Sequence, residues 1–175
     1  LMAKAISLQP GCRMLDIGFA ALDFAEHYNA IVEGIDLNPV GWERAYDELQ
    51  RRNEERATSK GLVVPPPPPL RVHFQVTDVS HAEFENDSFD IVYSRDVLLH
   101  LDAEAKQAVF AKCLDWLKPG GKICIGDYCL GRNSEKTGFP THDFAKYLGA
   151  RGHHVWTPAL YKKSLALAGF QDSHA

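Results

Sequence analysis

SFDIVYSRDVLLHL, running from Ser88 to Leu101, is the stretch that decides the fold. Ser88 to Ser94 reads as a strand whose middle, Phe89 to Tyr93, is apolar enough to be buried. Ser94, Arg95, Asp96 and His100 follow at once. In open α/β sheets, ligands sit outside the carboxyl ends of the strands. A buried strand that empties into a hydroxyl, a cation, an acid and a base therefore predicts a parallel sheet with its site at this end.

The same pattern repeats on either side. Arg13 to Phe19 (RMLDIGF) and Ala30 to Leu37 (AIVEGIDL) read as buried strands. Arg71 to Asp78 (RVHFQVTD) alternates apolar and polar residues, and Lys122 to Tyr128 (KICIGDY) is a further strand. Helical stretches between them imply crossover connections and a doubly wound sheet. The clearest helix covers about Ala103 to Leu117. Ala105, Ala108, Val109, Ala111, Cys113, Leu114 and Leu117 trace its apolar face, and Pro119 to Gly121 stop it. Other helices are expected from Pro39 through Ala57, over His142 to Leu148, and over Pro158 to Ala168 with Gly169 closing.

The chain has 175 residues, enough for one domain with a proper core, and residues 1–175 are read as a single domain. A charged stretch, Arg51 to Lys60, precedes five prolines, Pro65 to Pro69. Together, over about 51–70, they read as a surface insertion and an extended linker. The formal net charge of −4 provides no global field for nucleic acid or an anionic membrane. No apolar run reaches the roughly 20 residues that span a bilayer. Cys12, Cys113, Cys124 and Cys129 lack CxxC spacing, so reduced thiols, a cytoplasmic setting and no metal site are expected. The first residues do not form a signal peptide.

Three strand ends carry further chemistry. Met14-Leu15-Asp16-Ile17-Gly18 ends a strand in D-x-G, where a glycine lets backbone approach a ligand. Gly34-Ile35-Asp36 ends in an acid about twenty residues on, the position that accepts from ribose hydroxyls. Thr77-Asp78-Val79 ends a third strand. The alternatives are a helix N-terminal acid for Asp36 and a cap or Asx turn for Asp78. The order LDIG, GID, TDV, FDIVYS, LKPGG, KICIGDY resembles class I S-adenosylmethionine-dependent methyltransferases, with their Rossmann-like sheet. The G-x-G-x-x-G of a hydride-transfer fold is absent.

Tyr93-Ser94-Arg95-Asp96, Leu99-His100-Leu101, Trp116 to Gly121, Asp127-Tyr128-Cys129 and Phe144 to Tyr147 with Arg151 narrow this further. They resemble phosphoethanolamine N-methyltransferases, from about Arg13 to Phe170. The resemblance implies transfer of a methyl group from S-adenosylmethionine to the amine of phosphoethanolamine, repeated toward phosphocholine. It implies cofactor contacts at Asp16, Gly18, Asp36, Leu37, Asp78, Val79, Ser94 and Arg95. Asp96 suits the substrate ammonium, and His100, with an intrinsic pKa of about 6.5, suits its proton. The two would share a face if the segment were helical. Tyr128 suits the substrate as well, and Tyr147, Arg151 and His153 match the phosphate-binding stretch, where the family tends to carry tyrosine in place of His153. The alternatives are a core histidine for His100, a helix cap for Asp96, strand filler for Tyr128 and a surface cation for Arg151.

Two departures bear on activity. The family's glycine-rich loop is shortened here to Gly18-Phe19-Ala20-Ala21-Leu22-Asp23, so GID arrives several residues early. The family's N-terminal lid segment and its last two strands are also expected to be missing, as in a fragment. Weak cofactor binding is the expectation. A methyltransferase for another small amine and a catalytically silent methyltransferase-like module are the other readings. Oligomeric state is left open.

Overall fold

The computed structural model describes residues 8–58, 67–130, 141–172 and 174, with the side chains at 141, 142, 144 and 145 outside that description. The first strand, β1 (Arg13–Ile17), feeds α1 (Ala21–Tyr28), then β2 (Ile31–Asp36) and the long α2 (Pro39–Thr58). The chain continues through β3 (Arg71–Val76), β4 (Phe89–Arg95), a 3₁₀ turn at Leu98–His100, α3 (Ala103–Trp116) and β5 (Leu117–Gly126). Two helices follow, α4 (Thr141–Gly149) and α5 (Pro158–Ala168). The five strands form one sheet in the order β3-β2-β1-β4-β5. Every pairing is parallel. The reversal of strand order falls between β1 and β4, which puts the switch point beside Gly18.

Residues of the central strands alternate between two cores. Leu15, Ile17, Ile35 and Val92 pack with Val109, Phe110, Cys113 and Trp116 of α3 and Tyr161 and Leu165 of α5. Met14, Val32, Ile91 and Tyr93 pack on the other face with Phe24 and Ala25 of α1 and Leu49 of α2. Burial raises the Cys113 thiol pKa to about 12, so it is an inert core group. The cysteines are all unpaired. No helix among the described residues is long and apolar enough to cross a membrane.

Four local expectations change. A helix, α1, occupies Ala21–Tyr28, where none was expected. It starts there because buried Asp16 accepts from the Ala20 amide at 2.7 Å, and it ends at Asn29 in the left-handed region. The insertion read over about 51–70 loses its first residues to α2, which runs to Thr58, one residue beyond the helix expected through Ala57. Arg51 pairs with Glu48 and Glu55, and Arg52 reaches Glu48 and Glu26, so this charged stretch carries its own helical ion pairs. The early prolines of the run lie outside the described residues. Its last ones dock back on α2, where Arg56 donates to the Pro68 carbonyl at 3.0 Å and Leu70 N donates to Asn53 at 2.7 Å.

The other two changes concern β5 and α3. Lys118 to Gly121 starts β5 instead of forming a free stop. A register irregularity between Phe89 and Ile91 absorbs it, and Gly121 sits where a Cβ would meet the Lys118 carbonyl at 2.8 Å. On α3 the buried stripe is Lys106, Val109, Phe110, Cys113 and Trp116, so Ala108 and Ala111 face out and a lysine faces in.

Candidate active site

The carboxyl ends of β1, β2 and β3 bring together Gly18, Asp36 and Asp78 by register. Ile17 pairs with Ile35, and Asp36 pairs with Val76. Gly18 N donates to the Ile35 carbonyl at 2.9 Å, and Thr77 N donates to the Asp36 carbonyl at 3.1 Å. Gly18 has φ 127°, and a Cβ there would lie 3.3 Å from Val97. The backbone angle favours glycine at this turn, and a Cβ would in addition press on the Val97 side chain.

Each acid in this half also serves its own backbone. Asp36 accepts from Asn38 N at 2.7 Å, and Asn38 in turn caps α2 by accepting from Val40 and Gly41. Asp78 accepts from Ser80 N at 2.8 Å and Ser80 Oγ at 2.6 Å, which holds its pKa below the ordinary value. The Asx-turn geometry of Asp78 is therefore present. Val79 is buried in the core by its side chain. Asp16 is fully buried, and desolvation raises its pKa to about 7 against the opposing pull of the Ala20 and Ala21 amides and Arg95. Its Oδ1 has no partner, nor does Oγ of the equally buried Ser94, one strand over.

Leu37 and Val40 are exposed beside Asp36. Phe19, 45% exposed, lays its ring over Gly41, where a Cβ would come within 2.4 Å of it.

The ends of β4 and β5 carry the other group. Arg95 and Asp96 are exposed, and Asp96 N donates to the Gly126 carbonyl at 3.0 Å. Asp96 adopts φ 57°, a left-handed turn that aspartate tolerates. It does not share a helical face with His100, because the 3₁₀ turn Leu98–His100 intervenes. It is not the cap of α3 either, since Asp102 Oδ1 accepts from Ala105 N at 2.8 Å. His100 is exposed rather than a core residue. Its ring lies 4.5 Å from that of His153, centroid to centroid. Arg151 stands 3.7 Å over the Tyr147 ring. Tyr128 lies past the end of β5 and is 56% exposed, so it is not strand filler.

Sequence reasoning missed the layer behind this group. Tyr161 donates to Asp127 Oδ2 at 2.5 Å. Burial raises the pKa of both, and Asp96 adds to the shift of Asp127. Asp127 Oδ1 is unpartnered and so is His153 Nδ1. Lys106 is fully buried, and its ammonium lies 4.4 Å from the Trp156 ring. The signal for Lys106 was its place in the stripe of Val109, Phe110 and Cys113, three, four and seven residues on. Among the described residues no group of three or more potential ligands could hold a metal ion.

The comparisons agree with this architecture. Phosphoethanolamine N-methyltransferase 1 of Arabidopsis thaliana is 35% identical over 173 residues, covering 97% of this chain and 30% of that protein. The Plasmodium falciparum phosphoethanolamine N-methyltransferase is 29% identical over 171 residues, covering 95% of this chain and 56% of that one. A solved structure of Haemonchus contortus phosphoethanolamine N-methyltransferase 2, in complex with phosphomonomethylethanolamine and S-adenosylhomocysteine, has a TM-score of 0.76 and 26% identity. It covers 98% of this chain and 36% of that chain. The chain thus spans 29% to 30% of the length of the wheat and Arabidopsis relatives it matches. Residues 9–125 match the methyltransferase domain family, and the chain belongs to that family.

Proposed function

We propose that the chain is the part of a phosphobase N-methyltransferase that takes the methyl group of S-adenosylmethionine onto the amine of phosphoethanolamine. The observation that carries this is the contact of His100 with His153, which brings the segment that also holds Arg151, over Tyr147, to the turn following Asp96. A base, an acid and a cation with donors in a planar fork are what an ammonium at one end of a molecule and a phosphate at the other require.

The residues present fit the cofactor. Asp36 stands where ribose hydroxyls are accepted, and Gly18 leaves open backbone beside it. Exposed Leu37 and Val40 offer apolar surface for a base, with Asp78 and Val79 at its edge. The orphaned oxygens of Asp16 and Ser94, with Arg95 next to them, give polar partners to its amino-acid end. When bound, S-adenosylmethionine supplies an electrophilic methyl on a sulfonium.

This chain's residues then prepare the nucleophile. Asp96 holds the substrate ammonium by charge, and Tyr128 adds a hydrogen bond from the β5 side. His100 removes one proton from the ammonium, which leaves the nitrogen lone pair as nucleophile. Arg151, Tyr147 and His153 hold the phosphate away from the reacting nitrogen. Four unpaired thiols are consistent with a reducing, cytosolic compartment.

The test is methyl transfer from isotopically labelled S-adenosylmethionine, followed by mass spectrometry of the acceptor. Label in phosphomonomethylethanolamine is the expected result. Label in a different small amine would overturn the substrate assignment. Absence of cofactor binding by calorimetry would leave a silent methyltransferase-like module.

A further inference from the structure

Lys106 stands out because the reaction does not use it. It is fully buried in the core stripe of α3, where an uncompensated ammonium is strongly unfavourable. Burial lowers its pKa, while Asp127 and Asp102 act in the opposite sense. Its ammonium donates to the His154 carbonyl at 2.5 Å and lies 4.4 Å from the Trp156 ring and 5.9 Å from the Tyr161 ring.

The residue it grips is fastened on its other side too. His154 N donates to the Leu99 carbonyl at 2.6 Å, and Leu99 immediately precedes His100. The segment between α4 and α5 is thereby tied at one residue to the turn that carries His100 and to α3. His153, the residue before, has its ring against His100 and its Nδ1 buried without a partner. Gly152, with φ 78°, leads into it, and His153 N donates to the Leu148 carbonyl at 3.0 Å, so local backbone ties the segment to the end of α4, while its tie to α3 runs through His154.

We propose that Lys106 is a positioning residue. Its bond to the His154 carbonyl sets His153 against His100, so that the phosphate-binding segment is already placed before substrate arrives. Ordering the segment in advance removes a cost that binding would otherwise carry. The proposal rests on the phosphobase reading only for the identity of the ligand.

A methionine at this position keeps the bulk and the contact with Trp156 but loses the donor. If Lys106 only filled space, Lys106→Met would be neutral or stabilising. The experiment is nuclear magnetic resonance on the chain and on Lys106→Met, Lys106→Gln and Lys106→Arg. It reads ring-proton contacts between His100 and His153 without ligand, and then a phosphoethanolamine titration. Both neutral variants should lose the ring contact and bind phosphoethanolamine about tenfold more weakly, the size of one charge-assisted hydrogen bond. Lys106→Arg should retain both readings, and S-adenosylmethionine affinity should be unchanged throughout. Should Lys106→Met fail to fold, Lys106→Gln carries the same readings. Preserved ring contact and affinity in a folded neutral variant would overturn the proposal. So would unfolding of both neutral variants, which would make Lys106 a residue of global stability. If the unsubstituted chain does not bind phosphoethanolamine, the substrate reading fails, and the ring contact alone still decides the role of Lys106.

Discussion

The carboxyl ends of β1 to β3 and those of β4 and β5 are built on different principles. In the first half the acids are stabilised by backbone within a few residues. Asp16 reaches the Ala20 amide, Asp36 the Asn38 amide and Asp78 the Ser80 amide. In the second half the contacts join distant parts of the chain. His100 meets His153, Tyr161 meets Asp127, Lys106 meets His154, and the Leu99 carbonyl receives the His154 amide. A half organised by local turns is rigid by itself and sensitive to loop length. A half organised by long-range contacts depends on α3, α4 and α5 packing correctly, and a single deletion there moves several groups at once.

The largest effect should come from the second half. His100→Ala is expected to lower turnover by roughly a hundred- to ten-thousand-fold, the range for loss of a general base. Phosphoethanolamine affinity should change far less. Steady-state kinetics with labelled cofactor would measure both. A normal rate would remove the base assignment and make the second half a binding surface only.

The next effect belongs to the first half and is one of pH. Asp16 has a folded pKa of about 7 against an ordinary value of 3.8. A raised folded value means that the native state holds the proton more tightly than the unfolded chain. The stabilisation is complete below about pH 4 and is lost as pH rises through about 7. At most it amounts to about 4 kcal/mol, since one pKa unit is about 1.4 kcal/mol. Asp16→Asn keeps an oxygen for the Ala20 amide and has no proton to lose. Denaturant unfolding at pH 4 and pH 8 should therefore show the parent weakening with pH relative to Asp16→Asn. Parallel pH profiles for the two proteins would mean that Asp16 is ionised in the native state.

This contrast also explains what could be read from the sequence. The sheet, its parallel order and the strand-end acids were legible, because burial and period-2 or helical patterning are local signals. The end of α2 was legible too, but the same residues also read as the start of an insertion. Arg51 to Ala57 fits both by composition, and the ion pairs of Arg51 and Arg52 go with the helix. By contrast, α1 is a single short helix whose start depends on a buried carboxylate four residues upstream. Lys106 was passed over because lysine reads as surface. Its burial depends on the His154 carbonyl, 48 residues away, and no local pattern encodes that contact.

A smaller effect should separate binding from chemistry within the second half. Arg151→Ala removes the guanidinium that stands over Tyr147 and is assigned to the phosphate in the proposed reaction. A contact remote from the transferring methyl acts equally in ground and transition states. KM for phosphoethanolamine should rise about tenfold, typical for one charge-assisted contact, with kcat nearly unchanged. Kinetics with phosphoethanolamine and with ethanolamine would check it, because the variant should lose its advantage only for the phosphorylated amine. A fall in kcat alone would move Arg151 into the reacting group.

The smallest expected effect tests the shortened loop itself. Phe19 follows Gly18 directly and lies over Gly41 at the start of α2, beside Asp36. Its ring is 45% exposed, so its removal forfeits little core packing. Directly after Gly18 this chain presents an aromatic side chain at the turn that leads into α1. Phe19→Gly, alone and with two glycines inserted after Gly18, should raise S-adenosylmethionine affinity by about three- to tenfold, or roughly 0.7 to 1.4 kcal/mol. Calorimetry with S-adenosylmethionine would measure the gain. Asp36→Ala in the same background should abolish the gain if the ligand sits where its ribose meets Asp36. Tight binding by the unmodified chain, unchanged in either variant, would mean that Phe19 and the short turn after Gly18 do not limit binding. The sensitivity to loop length inferred from the contrast between the two halves would then be wrong.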